Sequence, residues 1–163
     1  HGFSVEMLHA RKAFWSISGF NAKEPYVEVE IDINAPVTQV WRHLTDHAGM
    51  GQWSLFTGRI LRPGRVDPNG MGCIRELSAP AVRITEEITA WEERSHYSYK
   101  LLSGAPFSKH RGDVSVVEYN DRSRVRWAIR FESWIPFSGK ITAWTLALVF
   151  RRALRKLKAQ LEA

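Results

Sequence analysis

The hydrophobic positions change period along the chain, and each change marks an element. Val27, Val29, Ile31 and Ile33 alternate with Glu28, Glu30 and Asp32, so Tyr26 onwards predicts a strand with one buried face. Asn34-Ala35-Pro36 stops it with a proline suited to the first turn of a helix, and Val37, Val40, Trp41 and Leu44 continue at helical spacing as far as Asp46. His47 to Trp53, with Gly49 and Gly51, reads as a broken second helical turn or loop. Six strand-like pieces follow, each bounded by turn residues or charges: Phe56 to Arg62, Gly72 to Ser78, Val82 to Trp91, Tyr97 to Leu102, Val114 to Tyr119 and Val125 to Glu132.

Beyond Gly139 the chain has neither glycine nor proline, and Ala143, Leu146, Ala147, Phe150, Leu154, Leu157 and Leu161 predict one long terminal helix. Its first half also carries Ile141, Trp144, Leu148 and Val149, which leaves it apolar almost all round, whereas Arg151, Arg152, Arg155, Lys156 and Lys158 flank the stripe in the second. The expectation is a first half enclosed by the protein and a second half running out to solvent. The apolar run Ile141 to Phe150 falls short of the roughly 20 residues a membrane span needs.

One strand, two helical pieces, six strands and a long helix imply an α+β fold in which an antiparallel meander is covered on one face by the terminal helix. Residues 25–163 form one domain. Residues 1–24 stand apart: Phe3, Met7, Ala10, Phe14 and Ile17 share a helical face before Ser18-Gly19, predicting a short N-terminal helix that docks on the domain, pairs with a second copy to give a homodimer, or moves freely.

A composition of 44% hydrophobic and 25% charged residues is that of an ordinary globular chain. The single cysteine, Cys73, excludes an internal disulfide and a cysteine-rich metal site, and it suits a reducing compartment. The chain starts at His1 rather than methionine, and no signal-like apolar core follows; the expectation is a trimmed end and a cytoplasmic protein. The net charge of +6 would suit an anionic partner if it were gathered in a patch. The basic residues are spread, with one dense group at the end of the terminal helix, where the helix dipole also favours cations. No nucleic-acid partner, no integral membrane association and no cofactor are therefore expected.

Val27-Glu28-Val29-Glu30-Ile31-Asp32-Ile33-Asn34-Ala35-Pro36, running into Val40-Trp41 and Leu44-Thr45-Asp46, resembles the START-like or SRPBCC superfamily. Trp53, the strand Ile84 to Glu92 and the strand with Trp127 are similar to its polyketide cyclase/dehydrase-type members. The resemblance covers about residues 26 to 160. It implies a helix-grip fold, a curved six- to seven-stranded antiparallel sheet wrapped around the terminal helix with a cavity between them. It also implies binding or transport of lipids, sterols, polyketides or plant hormones, with cyclisation of polyketide chains in some members. It supplies no shared catalytic motif.

Strand alternation places Ile84, Glu86 and Ile88 inside, with Tyr97, Tyr99 and Leu101, then His110, Gly112, Val114 and Val116, then Val125, Trp127, Ile129 and Phe131. Such an aromatic face with few polar groups suits a small-molecule pocket, and equally a close-packed core. Glu86 is a carboxylate among isoleucines, either raised in pKa and fit for proton transfer or paired with an arginine such as Arg75. Tyr97 and Tyr99 either offer hydroxyls to a ligand or pack, and His110 is an acid or base if it is not simply solvated. Trp53 and Phe107 are candidates for the entrance, Trp127 for the core or the pocket wall, and Trp144 or Leu148 for the helix side of the lining. Three readings follow: a binding module for a small hydrophobic ligand, a cyclase or dehydratase using Glu86, Tyr97, Tyr99 and His110, and an interaction protein working through its N-terminal helix or basic end. His43 and His47 are four apart, but no third metal ligand accompanies them.

Overall fold

In a computed structural model, which describes residues 15–16, 26–133 and 139–163, the alternation after Tyr26 becomes a strand whose residues are half-buried and buried in strict turn. Chain order gives β1 (Trp15–Ser16), β2 (Tyr26–Ile33), helix α1 (Val37–Thr45), a 3-10 turn (Met50–Gln52), β3 (Thr57–Arg62), β4 (Ile74–Ala79), β5 (Val82–Glu92), β6 (His96–Ser103), β7 (Phe107–Tyr119), β8 (Arg122–Ser133) and the terminal helix α2 (Gly139–Leu161). The strands form one antiparallel sheet in the order β1-β2-β8-β7-β6-β5-β4-β3. The meander from β3 to β8 thus closes onto β2, the first long strand, and α2 lies across β2 and β8. This is the helix-grip arrangement that the sequence implied.

Two expectations are corrected. At Trp15–Ser16 the chain is extended and pairs with Val29 and Glu28 as an edge strand, not as a helix; the rest of the proposed N-terminal helix lies outside the described residues. β7 begins at Phe107 rather than Val114, because a register shift between Ser108 and Arg111, with Lys109 at φ 49°, absorbs the polar start of the strand. The outward arginines of β8 meet the acidic row of β2. Arg124 pairs with Asp32 (2.7 Å) and Glu30 (3.3 Å), Arg126 with Glu28 (2.5 Å), and Arg130 lies over the Tyr26 ring. The acidic residues of β2 neutralise Arg124 and Arg126.

The terminal helix also departs from expectation. Its buried stripe runs its whole length through Ala143, Ala147, Phe150, Ala153, Leu154 and Leu157, so neither half is enclosed. Phe150 stacks on Trp127 at 3.9 Å between ring centroids, nearly parallel. The far end is clasped to the β2–α1 corner, where Lys158 Nζ donates to the Asp32 carbonyl and the Asn34 N–H donates to Glu162, both at 2.7 Å.

Candidate functional site

β4 and β5 pair with Arg75 directly opposite Glu86, and alternation turns both side chains inward. Arg75 is 0% exposed and Glu86 3%. Two charges so far from water persist only when paired and hydrogen-bonded. Arg75 Nη2 donates to Glu86 Oε1 at 3.2 Å, and Nη1 lies 3.0 Å from His47 Nδ1. The guanidinium also sits 4.7 Å from the Tyr99 ring centre and 5.7 Å from that of Tyr97. Burial lifts the Glu86 carboxyl above the usual carboxylate range against the pull of Arg75.

His47 reaches this cluster from the loop after α1. Its Nε2 is 2.9 Å from the Asn69 carbonyl and its backbone N–H donates to Asn69 Oδ1 at 3.3 Å. With Nδ1 accepting from Arg75, the network assigns the ring proton to Nε2. Burial, reinforced by the Arg75 charge, pushes His47 down to about 3. His110 is held similarly: Nδ1 accepts the Leu101 N–H at 3.0 Å, and burial followed by the Arg75 charge lowers it to about 4.

Aromatic rings close around these groups. Trp127 Nε1–H donates to the Tyr99 hydroxyl at 2.7 Å, and the Tyr97 hydroxyl donates to the Leu44 carbonyl at 3.3 Å. Burial raises both phenols, Tyr99 well above its ordinary value. Tyr99 lies flat over Gly112, its partner on β7, where a β-carbon would run into the ring. Trp41 and Trp91 pack against Tyr97, Trp53 against Trp127, and Phe107 against Phe131. At neutral pH the histidines are neutral and the phenols protonated. The cluster therefore offers hydrogen-bond donors, a guanidinium and a carboxyl raised by burial.

Of the residues singled out from the sequence, Glu86, Tyr97, Tyr99, His110 and Trp127 gather around Arg75. Trp53 is 3% exposed and touches the group through Trp127, so it belongs to the core rather than an entrance. Phe107 is half-buried at the start of β7, not in a loop. Trp144 and Leu148 do not line the interior. At 100° per residue they fall opposite Ala143, Ala147 and Phe150, on the outward face of α2, 54% and 45% exposed. The sequence reading missed His47 and Asn69, and gave Arg75 only as a partner for Glu86. A period-two pattern through Cys73, Arg75 and Leu77 is the signal that places Arg75 inside. An open depression of about 500 Å³ at the β2–α1 corner, lined by Asn34, Pro36, Thr38, Glu118, Asp121 and Arg122 among others, shares no residue with this cluster.

Solved structures with the same fold include a START superfamily protein from Mycobacterium smegmatis (TM-score 0.73, 14% identity, covering 84% of this chain and 97% of that one). Others are the protein XoxI from Bacillus cereus (TM-score 0.71, 17% identity, 83% and 94%) and ginseng major latex-like protein 151 from Panax ginseng (TM-score 0.69, 14% identity, 85% and 98%). At these identities the likeness is one of fold. Comparison with curated proteins finds no match. A family profile described as polyketide cyclase / dehydrase and lipid transport matches residues 25–162.

Proposed function

The chain belongs to the polyketide cyclase / dehydrase and lipid transport family, and on that premise we propose that it binds a small hydrophobic ligand, lipid-like or aromatic and polyketide-like, between the sheet and α2, carrying or sequestering it. The observation that supports this most is the composition of the inner face. Aromatic rings surround a single buried guanidinium, and Arg75 Nε has no acceptor among the described residues. An apolar molecule bearing one carbonyl or hydroxyl oxygen matches that pattern, its body against the rings and its oxygen towards the arginine. Native mass spectrometry of protein purified without detergent, followed by fluorescence titration with a long-chain fatty acid and with an aromatic polyketide, tests the reading. A retained small molecule or a saturable change with either probe is expected. A protein that carries nothing and responds to neither probe rejects it.

Convergence of Glu86, Tyr97, Tyr99 and His110 on one cluster supports a second reading, a cyclase or dehydratase. It ranks below binding because each polar group already has a partner: Glu86 is tied to Arg75, Tyr97 to Leu44, Tyr99 to Trp127 and His110 to Leu101. Turnover of a linear polyketone thioester, slowed in Tyr99→Phe, would reverse that order.

A further inference from the structure

The face of α2 turned away from the sheet carries Ile141, Trp144, Thr145, Leu148, Arg152, Arg155 and Lys156, all exposed. At 100° per residue these positions form one stripe directly opposite the buried one. Its first part presents three large apolar side chains, Ile141, Trp144 and Leu148, at 71%, 54% and 45% exposure. Its second part presents cations: no carboxylate among the described residues pairs with Arg152, Arg155 or Lys156, whereas Lys158 on the flank holds Glu162. A continuous apolar patch on a helix end, followed in line by unpaired cations, is not what a solvated surface requires.

We infer that this stripe docks the protein on an anionic lipid surface, α2 tilted with its first half leading. From Ile141 to Leu148 is about 10 Å along the helix axis, close to the roughly 5–10 Å by which interfacial helices enter the boundary between headgroups and acyl chains. Arg152, Arg155 and Lys156 then stand at the level of the headgroup phosphates. Trp144, an amphipathic ring in the middle of the apolar part, suits the membrane interface. None of the helices in the described residues is long and apolar enough to cross a membrane, so the contact is peripheral. A second copy of the chain fits less well. Parallel pairing of two stripes sets the cations against one another, and antiparallel pairing sets them against the apolar patch; in both cases the charges stay uncompensated. The docking does not depend on a ligand in the interior, so it stands or falls separately from the function proposed above.

Vesicle flotation of the full chain tests it, with vesicles of phosphatidylcholine alone and of phosphatidylcholine with phosphatidylglycerol, at low and high salt. The wild type is expected to float with the anionic vesicles, weakly with the neutral ones, and to be released by salt. Trp144→Ser with Leu148→Ser, and separately Arg152→Glu with Arg155→Glu, should each weaken binding about tenfold or more while keeping the wild-type melting curve and circular dichroism. Absence of flotation with anionic vesicles overturns the inference, as does binding that neither double variant changes. A wild-type dimer that Trp144→Ser with Leu148→Ser converts to monomer overturns it too, by assigning the stripe to a second copy.

Discussion

Burial of His47 and His110 in the field of Arg75 makes the stability of this protein sensitive to mild acid. Both imidazoles have folded-state values below the unfolded value near 6.5, about 3 for His47 and about 4 for His110. Between those limits the unfolded chain binds more protons, so stability is complete above pH 6.5 and falls as pH drops towards the folded values. By pH 5 each histidine should cost about 2 kcal/mol. Urea unfolding at pH 7.5 and pH 5 checks this, and His47→Gln is expected to remove about half of the acid-dependent loss. Arg75→Met should cost about 3–5 kcal/mol by stranding the Glu86 carboxylate, whereas Arg75→Met with Glu86→Leu recovers most of it; a double variant as unstable as the single would show that Arg75 matters by its shape. At this scale the sequence went part of the way. Glu86 among isoleucines announced either a raised carboxyl or an arginine partner, and the structure has both: Arg75 opposite it and a carboxyl lifted by burial. His47 was illegible because a loop, which has no period, carries it to the cluster.

Among the elements, the period-two strands and the period-3.6 helices were readable because one face of each is buried, and burial is what writes the period. The start of β7 was not. Ser108-Lys109-His110-Arg111 has no alternation to read, since the register shift displaces its pleat. In α2 the inner stripe through Ala143, Ala147, Phe150, Leu154 and Leu157 was legible, but the first half was misread as enclosed, because its inner residues are the small Ala143 and Ala147 while Ile141, Trp144 and Leu148 lie outward. Small side chains let helix and sheet approach closely, so a larger set is left outside. The same need for close approach sets Gly112 beneath Tyr99. Gly112→Ala drives a methyl into that ring and should destabilise by about 1–3 kcal/mol. Thermal melts read this as a loss of roughly 2–4 °C per kcal/mol for a chain of this size.

For the whole molecule, residues 25–162 match one family and carry the sheet, α1 and α2. A chain beginning at residue 25 is expected to unfold in a single transition within about 2 kcal/mol of the full chain, since the described part of the N-terminal region adds only the two-residue pairing of Trp15 and Ser16 with β2. Loss of cooperativity in that truncated chain, read by circular dichroism and fluorescence together, would mean that the leading segment is structurally integral. The closure of the sheet has a further effect during synthesis. β2 leaves the ribosome ahead of β3 to β7, yet its neighbour β8 is made about a hundred residues later, as the Glu28–Arg126 pair shows with a separation of 98. The clasp of Asn34 to Glu162 spans 128 positions. The nascent chain therefore holds a strand with one apolar face and an open edge until β8 has been made. The glutamates and aspartate on its other face, which later meet Arg124 and Arg126, give that waiting strand charge repulsion against identical strands on neighbouring ribosomes.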